Sequence, residues 1–315
     1  MYISRKKFLT KSAKIAAGAI LFSPMLRFQQ TKAEGILPAD VTPDPLNWKN
    51  NEINVAWIGH STILMNVYGT VIVTDPVLFE RIGFYFLGIT IGQSRYTSPG
   101  LSFDKFPCPD LILLSHAHMD HMDLKTLNSF TDKFPGQIDC ITAYNTSDVI
   151  SDLKWKSLKE LDWNQKIDLD GLRLTAIEVK HFGWRFPWER DRSRGFFSNG
   201  RSYNAYLIEK KNKKIIFGGD TANTDKFSDY KHVDIAIMPI GAYNPWRSNH
   251  SNPEEALKMA ADDLKASIFI PIHCNTFKQG LEPTDEPLRW LETSVKNYGI
   301  ELGVKKIGET FTLKL

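Results

Sequence analysis

Residues 115–121 read Ser115-His116-Ala117-His118-Met119-Asp120-His121, three imidazoles and a carboxylate within six positions, directly after the apolar run 111–114. A helix cannot aim His116 and His118 at one point, because helical residues two apart do not face each other. An extended or looped backbone puts them on one side, so both can grip one metal ion. A turn into a following helix would then bring Asp120 and His121 to a second ion next door. Imidazole and carboxylate without thiolate suit zinc, and also iron, manganese or nickel. A solvated polar loop has no need of four ligands at this density.

Further ligands occur in matching contexts. His181 follows the run ending Glu178-Val179-Lys180, and His273 follows Ile268-Phe269-Ile270-Pro271-Ile272. Asp220 follows Ile215-Ile216-Phe217-Gly218-Gly219, where glycines permit close backbone approach. Each alone would pass for a loop residue. Together with the 116–121 segment they form a consistent set of seven. His60 and Asp75 follow earlier apolar runs and are read as partners behind the ligands, because metal-bound imidazoles usually pass their second N–H to such groups.

The elements that must position these residues are legible in outline. The runs 53–57, 62–67 and 71–74 are β-branched and apolar, broken by Gly59 and Gly69, and predict a meander. Runs 111–114, 215–217, 235–240 and 268–272 are apolar throughout and predict strands buried on both faces; 172–179 alternates more loosely. Asn252 caps a predicted helix with Pro253 first and Glu254 and Glu255 in its opening turn; Leu257, Ala260, Ala261 and Leu264 share one face. Leu288, Leu291, Val295 and Tyr298 predict another helix, stopped at Gly299. The expected architecture is two sheets between helix layers, in one domain.

Charge is unevenly placed. The chain of 315 residues has a formal net charge of +3, but residues 1–33 hold seven basic residues and no acidic one. Removing those seven from +3 leaves −4 for residues 34–315, which excludes a nucleic-acid-binding reading of the overall basicity. Residues 1–33 read as an export leader: a basic start, a modest apolar run 15–22, and Thr31-Lys32-Ala33 as a cleavage site. The start resembles a twin-arginine signal with Lys6 at the second Arg position. Export to the periplasm or cell envelope is expected, the alternative being a cytoplasmic or membrane-associated protein with an uncleaved leader. Residues 34–315 form the expected catalytic domain. Cys108, Cys140 and Cys274 are too few and too scattered for a disulfide framework.

The H-x-H-x-D-H segment with a later His, Asp and His resembles the metallo-β-lactamase superfamily. That resemblance implies a four-layer αββα sandwich with a binuclear site at one edge. It assigns His116, His118 and His181 to one ion, Asp120, His121 and His273 to the other, and Asp220 to both. A narrower match covers most of the body. Trp57-Ile58-Gly59-His60-Ser61-Thr62, Thr74-Asp75-Pro76, Gly219-Asp220-Thr221, Pro239-Ile240-Gly241-Ala242-Tyr243-Asn244-Pro245 and His250-Ser251-Asn252-Pro253-Glu254-Glu255-Ala256 are similar to the N-acylphosphatidylethanolamine-hydrolysing phospholipase D family and its bacterial relatives. This implies that His250 lies near a reacting phosphate. Between His181 and Asp220 the chain departs from that family, carrying Tyr203-Asn204-Ala205-Tyr206 in place of a Leu-Trp-Gly pattern.

The expected activity is a phosphodiesterase using two Zn²⁺ ions, with Mn²⁺ or Fe²⁺ as substitutes. The nucleophile would be a hydroxide between the metals, oriented by Asp120 and Asp220, with His250 meeting the phosphate charge. The alternatives are a lactonase or other ester hydrolase on the same ligands, or a non-catalytic binding protein. Aromatics interleaved with arginines from Phe182 to Arg201 suit an anionic headgroup with apolar chains and would give a basic mouth. Trp184, Arg185 and Tyr243 are candidates for substrate contact. A second aromatic cluster, Phe79 and 84–87, is placed in a loop after Asp75-Pro76. The expected partners are a small-molecule or phospholipid substrate and a membrane surface, and no nucleic acid.

Overall fold

The computed structural model describes residues 35–193 and 198–314; the expected leader lies outside them, as do Arg194, Phe196 and Phe197. The first apolar runs become an antiparallel meander of β1 (Ile53–Gly59), β2 (Thr62–Val67) and β3 (Thr70–Thr74), with Val55 opposite Met65 and Ile63 opposite Thr74. Next come β4 (Arg81–Phe86) and β5 (Ile89–Ser94), which pair only with each other. The aromatic segment expected to be a loop is therefore a hairpin. Strands β6 (Leu111–Leu113), β7 (Asp139–Ala143) and β8 (Ser157–Leu161) then extend the first sheet in parallel from β3.

The second sheet is built from β9 (Lys166–Leu169), β10 (Leu172–Glu178), β11 (Asn204–Lys210), β12 (Lys213–Phe217), β13 (Ile235–Pro239), β14 (Ile268–Ile272) and β15 (Glu301–Leu302). Strand β16 (Thr310–Leu313) returns to pair with β1. The two sheets have the orders β16-β1-β2-β3-β6-β7-β8 and β15-β14-β13-β12-β11-β10-β9.

Period-two patterning decides what faces what. Ile53, Val55 and Trp57 of β1 point between the sheets, where they join Ile63, Met65, Leu174, Ala176, Ile215 and Phe217 in the main core. The intervening Ala56 and Ile58 point outward, to a layer closed by Leu127 and Phe130 of α1 (Leu124–Lys133). Helices α2 (Pro253–Lys258) and α3 (Glu286–Ser294) cover the second sheet through Leu257 and Leu291. The architecture is the αββα sandwich. Asn252 caps α2, as the sequence predicts, and with Glu255 forms a reciprocal capping box that satisfies two otherwise unpaired N–H groups. No described helix is long and apolar enough to cross a membrane.

Strand direction explains why chemistry gathers at one rim. Strands β1, β3 and β6 run alike in one sheet, and β10, β12 and β14 run alike in the other. Their C-terminal ends carry the loops with His60, Asp75, the 115–121 segment, His181, Asp220 and His273.

Candidate metal centre

After β6 the chain stays extended through His116, which bridges to Tyr203, and then folds into a turn in which His121 and Met122 N–H groups both donate to the His118 carbonyl. Asp120 and His121 therefore sit in that turn, before α1 rather than in its first turn. Asp123 caps the helix by accepting from the N–H and hydroxyl of Thr126. Across the rim, Gly219 has φ +56, and a Cβ there would lie 2.7 Å from Ser115 Cβ. Only glycine lets Asp220 approach the 115–121 segment this closely. His60, Asp75 and His273 also hold positive φ without being glycine, at 51°, 36° and 60°. Such backbone strain persists where surrounding contacts enforce it, commonly at functional sites.

Two groups of donors converge. His116 Nε2 lies 2.7 Å from His118 Nδ1, and His181 Nε2 lies 3.2 Å from that same nitrogen. Asp220 Oδ2 stands 4.0 Å and 3.8 Å from His116 and His181 Nε2. On its other side that oxygen is 3.1 Å from both His121 Nε2 and His273 Nε2. Asp120 Oδ2 completes the second group at 3.3 Å and 3.4 Å from those nitrogens. The ligand atoms of His116, His118, His181 and Asp220 all lie within 4.8 Å of one another, as do those of His60, Asp120, His121 and His273. All seven sequence-derived ligands thus come together, with Asp220 between the groups.

The surrounding contacts set which nitrogen each imidazole presents. His121 Nδ1 donates to Asp75 Oδ2 at 2.7 Å, and His181 Nδ1 to the Asn249 carbonyl at 2.9 Å, leaving both Nε2 atoms for the site. His116 Nδ1 meets Ser115 Oγ at 2.8 Å. His60 Nε2 contacts Asp120 Oδ2 at 3.0 Å, so the residue read as a supporting partner also lies among the second group's donors. Buried His121 Nε2, His273 Nε2 and Asp220 Oδ1 find no hydrogen-bond partner among the described residues. Buried polar atoms left this way are costly unless something else binds them, and this donor set fits a divalent cation.

The electrostatics of the two groups differ. Burial, with neighbouring imidazoles, holds His116 well below the ordinary histidine value; burial does the same for His181 and lowers His118 to about 4. Burial opposes charge on Asp120 and Asp220 too, but the flanking histidines outweigh it and hold both carboxyls well below the usual range. Burial would likewise lower His273, yet Asp220 and Asp120 raise it to about 9. Burial is likewise outweighed at His121, which Asp220, Asp120 and Asp75 raise well above the ordinary value. The first group thus presents neutral imidazoles beside an ionised carboxylate, the protonation states that ligate metal, while His121 and His273 carry protons that a bound cation would displace.

The groups lie at the floor of a cavity of about 1400 Å³. His250 Nδ1 is 3.8 Å from Asp220 Oδ2, and burial lowers this imidazole to about 4. Trp184 lines the wall, 36% exposed, with its ring 4.9 Å from Phe182. Arg185 and Tyr243 do not line it. Arg185 is buried and donates to the Ala117 and Met122 carbonyls at 2.7 Å and 3.0 Å; Tyr243 donates to Glu286 Oε1 at 2.5 Å. The expected mouth of arginines is absent among the described residues for the same reason. Arg192 pairs with Asp162 and covers Trp163, while Arg201 pairs with Asp148 and Glu189. Exposed cations at the cavity are instead Lys180 and Lys278. Gln279, which donates to Asp120 Oδ2 at 2.5 Å, is a site residue the sequence reading missed. Its place six residues after His273 is the signal that could have found it.

Comparison with known proteins agrees with this geometry. The sequence model of the Beta-lactamase superfamily domain matches residues 70–274. An uncharacterized protein of Mycobacterium tuberculosis is 28% identical over 269 residues, covering 82% of this chain and 68% of that protein. The N-acyl-phosphatidylethanolamine-hydrolyzing phospholipase D 1 of Caenorhabditis elegans is 29% identical over 259 residues, covering 73% and 67%. A metallo hydrolase from Ignicoccus hospitalis superposes with a TM-score of 0.60 at 18% identity, covering 84% of this chain and 99% of that one, which shows the shared fold. With the family's domain matched across both donor groups and the sandwich that carries them, the chain belongs to the metallo-β-lactamase superfamily and is a metal-dependent hydrolase.

Proposed function

We propose that the chain is a binuclear zinc phosphodiesterase acting on phospholipids, N-acylated ones among them. The observation that carries this reading is Asp220 Oδ2, a single oxygen facing nitrogens of both donor groups. Two metal ions held there would supply Lewis acidity toward a phosphoryl oxygen and a nucleophile at neutral pH, and Mn²⁺ or Fe²⁺ would suit the same donors. The chain's own residues do the rest. Asp120 is held in place by His60 and Gln279. His250, at the cavity wall, offers an imidazole N–H to charge developing on phosphate oxygens, and Lys180 and Lys278 neutralise part of a diester's charge. Aromatic Phe182 and Trp184 give apolar chains a wall to lie on. The phospholipase D name of the Caenorhabditis elegans relative supports the diester class.

Zinc-loaded protein assayed against bis(p-nitrophenyl) phosphate, a long-chain N-acyl phospholipid and a lactone tests the reading. Hydrolysis of the two diesters is expected. Turnover of the lactone alone would replace it with the ester-hydrolase reading. No turnover, with fewer than two ions per chain, would favour a binding protein. The same proposal places the enzyme outside the cytoplasm, facing a membrane; N-terminal sequencing of envelope material tests this through loss of residues 1–33.

A further inference from the structure

The β4–β5 hairpin has more apolar surface than its own packing uses. Its turn is Leu87-Gly88, both at positive φ, a conformation Asn-Gly would occupy more easily than a leucine. Leu87 is nevertheless there, 83% exposed. Phe84 pairs with Ile91 and Phe86 with Ile89, so these four share one face. They are 42%, 68%, 47% and 66% exposed. Only the base of that face is covered, where Ile82 is buried with Val77 and Phe277.

The hairpin stands at the rim of the cavity. Gln93, opposite Ile82 on the same face, lines the cavity wall, and its amide donates to the Lys278 carbonyl. Phe84 contacts Phe186 at 6.5 Å, and Phe186 stacks on Trp188, which is 69% exposed. Trp246, 53% exposed, marks another part of the rim. The apolar face thus continues into an aromatic edge around the mouth. Arg81, beside Glu80 at the base of the hairpin, and Lys278 are exposed alongside, and the hairpin itself, residues 81–94, has no acidic residue; Arg95 is buried and donates to the Val77 carbonyl.

We propose that this hairpin, with Phe186 and Trp188, inserts into the headgroup–acyl boundary of a phospholipid bilayer and sets the cavity mouth against it. Aliphatic and phenyl side chains at a tip, indoles beside them and cations behind match the layering of that boundary. A second copy of the chain fits less well. A stable dimer buries roughly 800 Å² per partner, more than five side chains of a hairpin supply, and would cover the mouth. The proposal rests on the phospholipid reading above for its purpose, but not for its test.

The test is flotation of the full chain with phosphatidylcholine vesicles, whose zwitterionic surface gives the basic residues 1–33 little to bind. Wild type is compared with Phe86→Ser/Leu87→Ser/Ile89→Ser and with the single variant Leu87→Asp. Both should lose about tenfold or more in vesicle partitioning. Their hydrolysis of soluble bis(p-nitrophenyl) phosphate should stay within about twofold of wild type, showing that they fold. Equal partitioning of all three, no partitioning of wild type, or a wild-type dimer that the variants convert to monomer would overturn the anchor. Vesicle loss without diester turnover in any protein, with unchanged circular dichroism of the variants, would sink the phosphodiesterase reading and leave the anchor standing. Diester turnover without vesicle binding would do the reverse.

Discussion

Asp75 Oδ2 accepts a hydrogen bond from His121 Nδ1 at 2.7 Å, and the same oxygen accepts from Ser115 Oγ at 2.5 Å. Ser115 Oγ in turn meets His116 Nδ1 at 2.8 Å, while Asp75 Oδ1 takes the Ser115 N–H at 2.7 Å. One buried carboxylate therefore orients an imidazole from each donor group. It reaches His121 directly and His116 through one hydroxyl. The arrangement follows from the sheet, because β3, which ends beside Asp75, runs parallel to β6, which ends two residues before Ser115.

Replacing Asp75 by Asn should therefore weaken metal binding at both of the proposed positions. An amide can offer His121 an NH₂ where it needs an acceptor, so the ring turns or changes tautomer. Loss of such a carboxylate typically costs about 10–100-fold in metal affinity. Ser115→Ala should cost less and act through His116. Competition against a chromophoric chelator measures both, and an Asp75→Asn protein with two unchanged affinities would contradict the linkage.

His250 separates two roles that its position permits. Its ligand atom lies within 4.8 Å of those of Asp220 and His273, so it could be a ligand as well as a phosphate contact. The proposed phosphate contact predicts that His250→Ala keeps its metal content while kcat on a diester falls about 10²–10⁴-fold. Metal analysis of His250→Ala beside Asp220→Ala decides. If both lose metal alike, His250 belongs to the ligand set.

Most ligand-bearing strands were legible because β6, β12 and β14 are short apolar runs followed within three residues by an imidazole or carboxylate, and strands in parallel pairs buried on both faces write themselves that way; β10, antiparallel to both neighbours, alternates instead. The β4–β5 hairpin was not. Its apolar residues face outward, so alternation of exposed Phe84 and Phe86 with Tyr85 carries no core signal, and Leu87-Gly88 lacks the usual turn residues. Strand β8, Ser157–Leu161, hides for a related reason: it is an edge strand with only Leu161 buried. Arginine direction was also unreadable. Composition after His181 shows cations beside a metal ligand, but only the packed structure shows that Arg185 turns in toward backbone carbonyls while Arg192 and Arg201 meet acids.

Arg185 should consequently matter to stability before it matters to substrate. Its Nη1 holds the carbonyls of Ala117 and Met122, at either end of the ligand turn. Burial lowers the guanidinium to about 10, partly offset by Asp123. Arg185→Met would leave two buried carbonyls without their charged donor, costing about 2–4 kcal/mol. That corresponds to a Tm lower by roughly 5–10 °C. Thermal unfolding monitored by circular dichroism checks it, and an unchanged Tm with a raised KM would restore the substrate role.

Arg201 holds Glu189 ionised, and that coupling should show in the pH dependence of stability. Arg201 Nε donates to Glu189 Oε2 at 2.8 Å, and that oxygen also accepts the Arg185 N–H at 2.7 Å. Partial burial would raise the Glu189 carboxyl, but the arginine and the backbone donors outweigh it and hold it below its ordinary value of 4.5. A folded-state value below the unfolded one contributes stability above pH 4.5 that is lost as pH falls through the depressed value. Arg201→Met removes the main cause of the depression. The Tm gap between wild type and variant should thus be full at pH 7 and should narrow as pH falls below 4.5 through the depressed value. A gap that stays constant from pH 7 to pH 3 would mean that Arg201 stabilises the 185–201 loop by packing, not by its charge on Glu189.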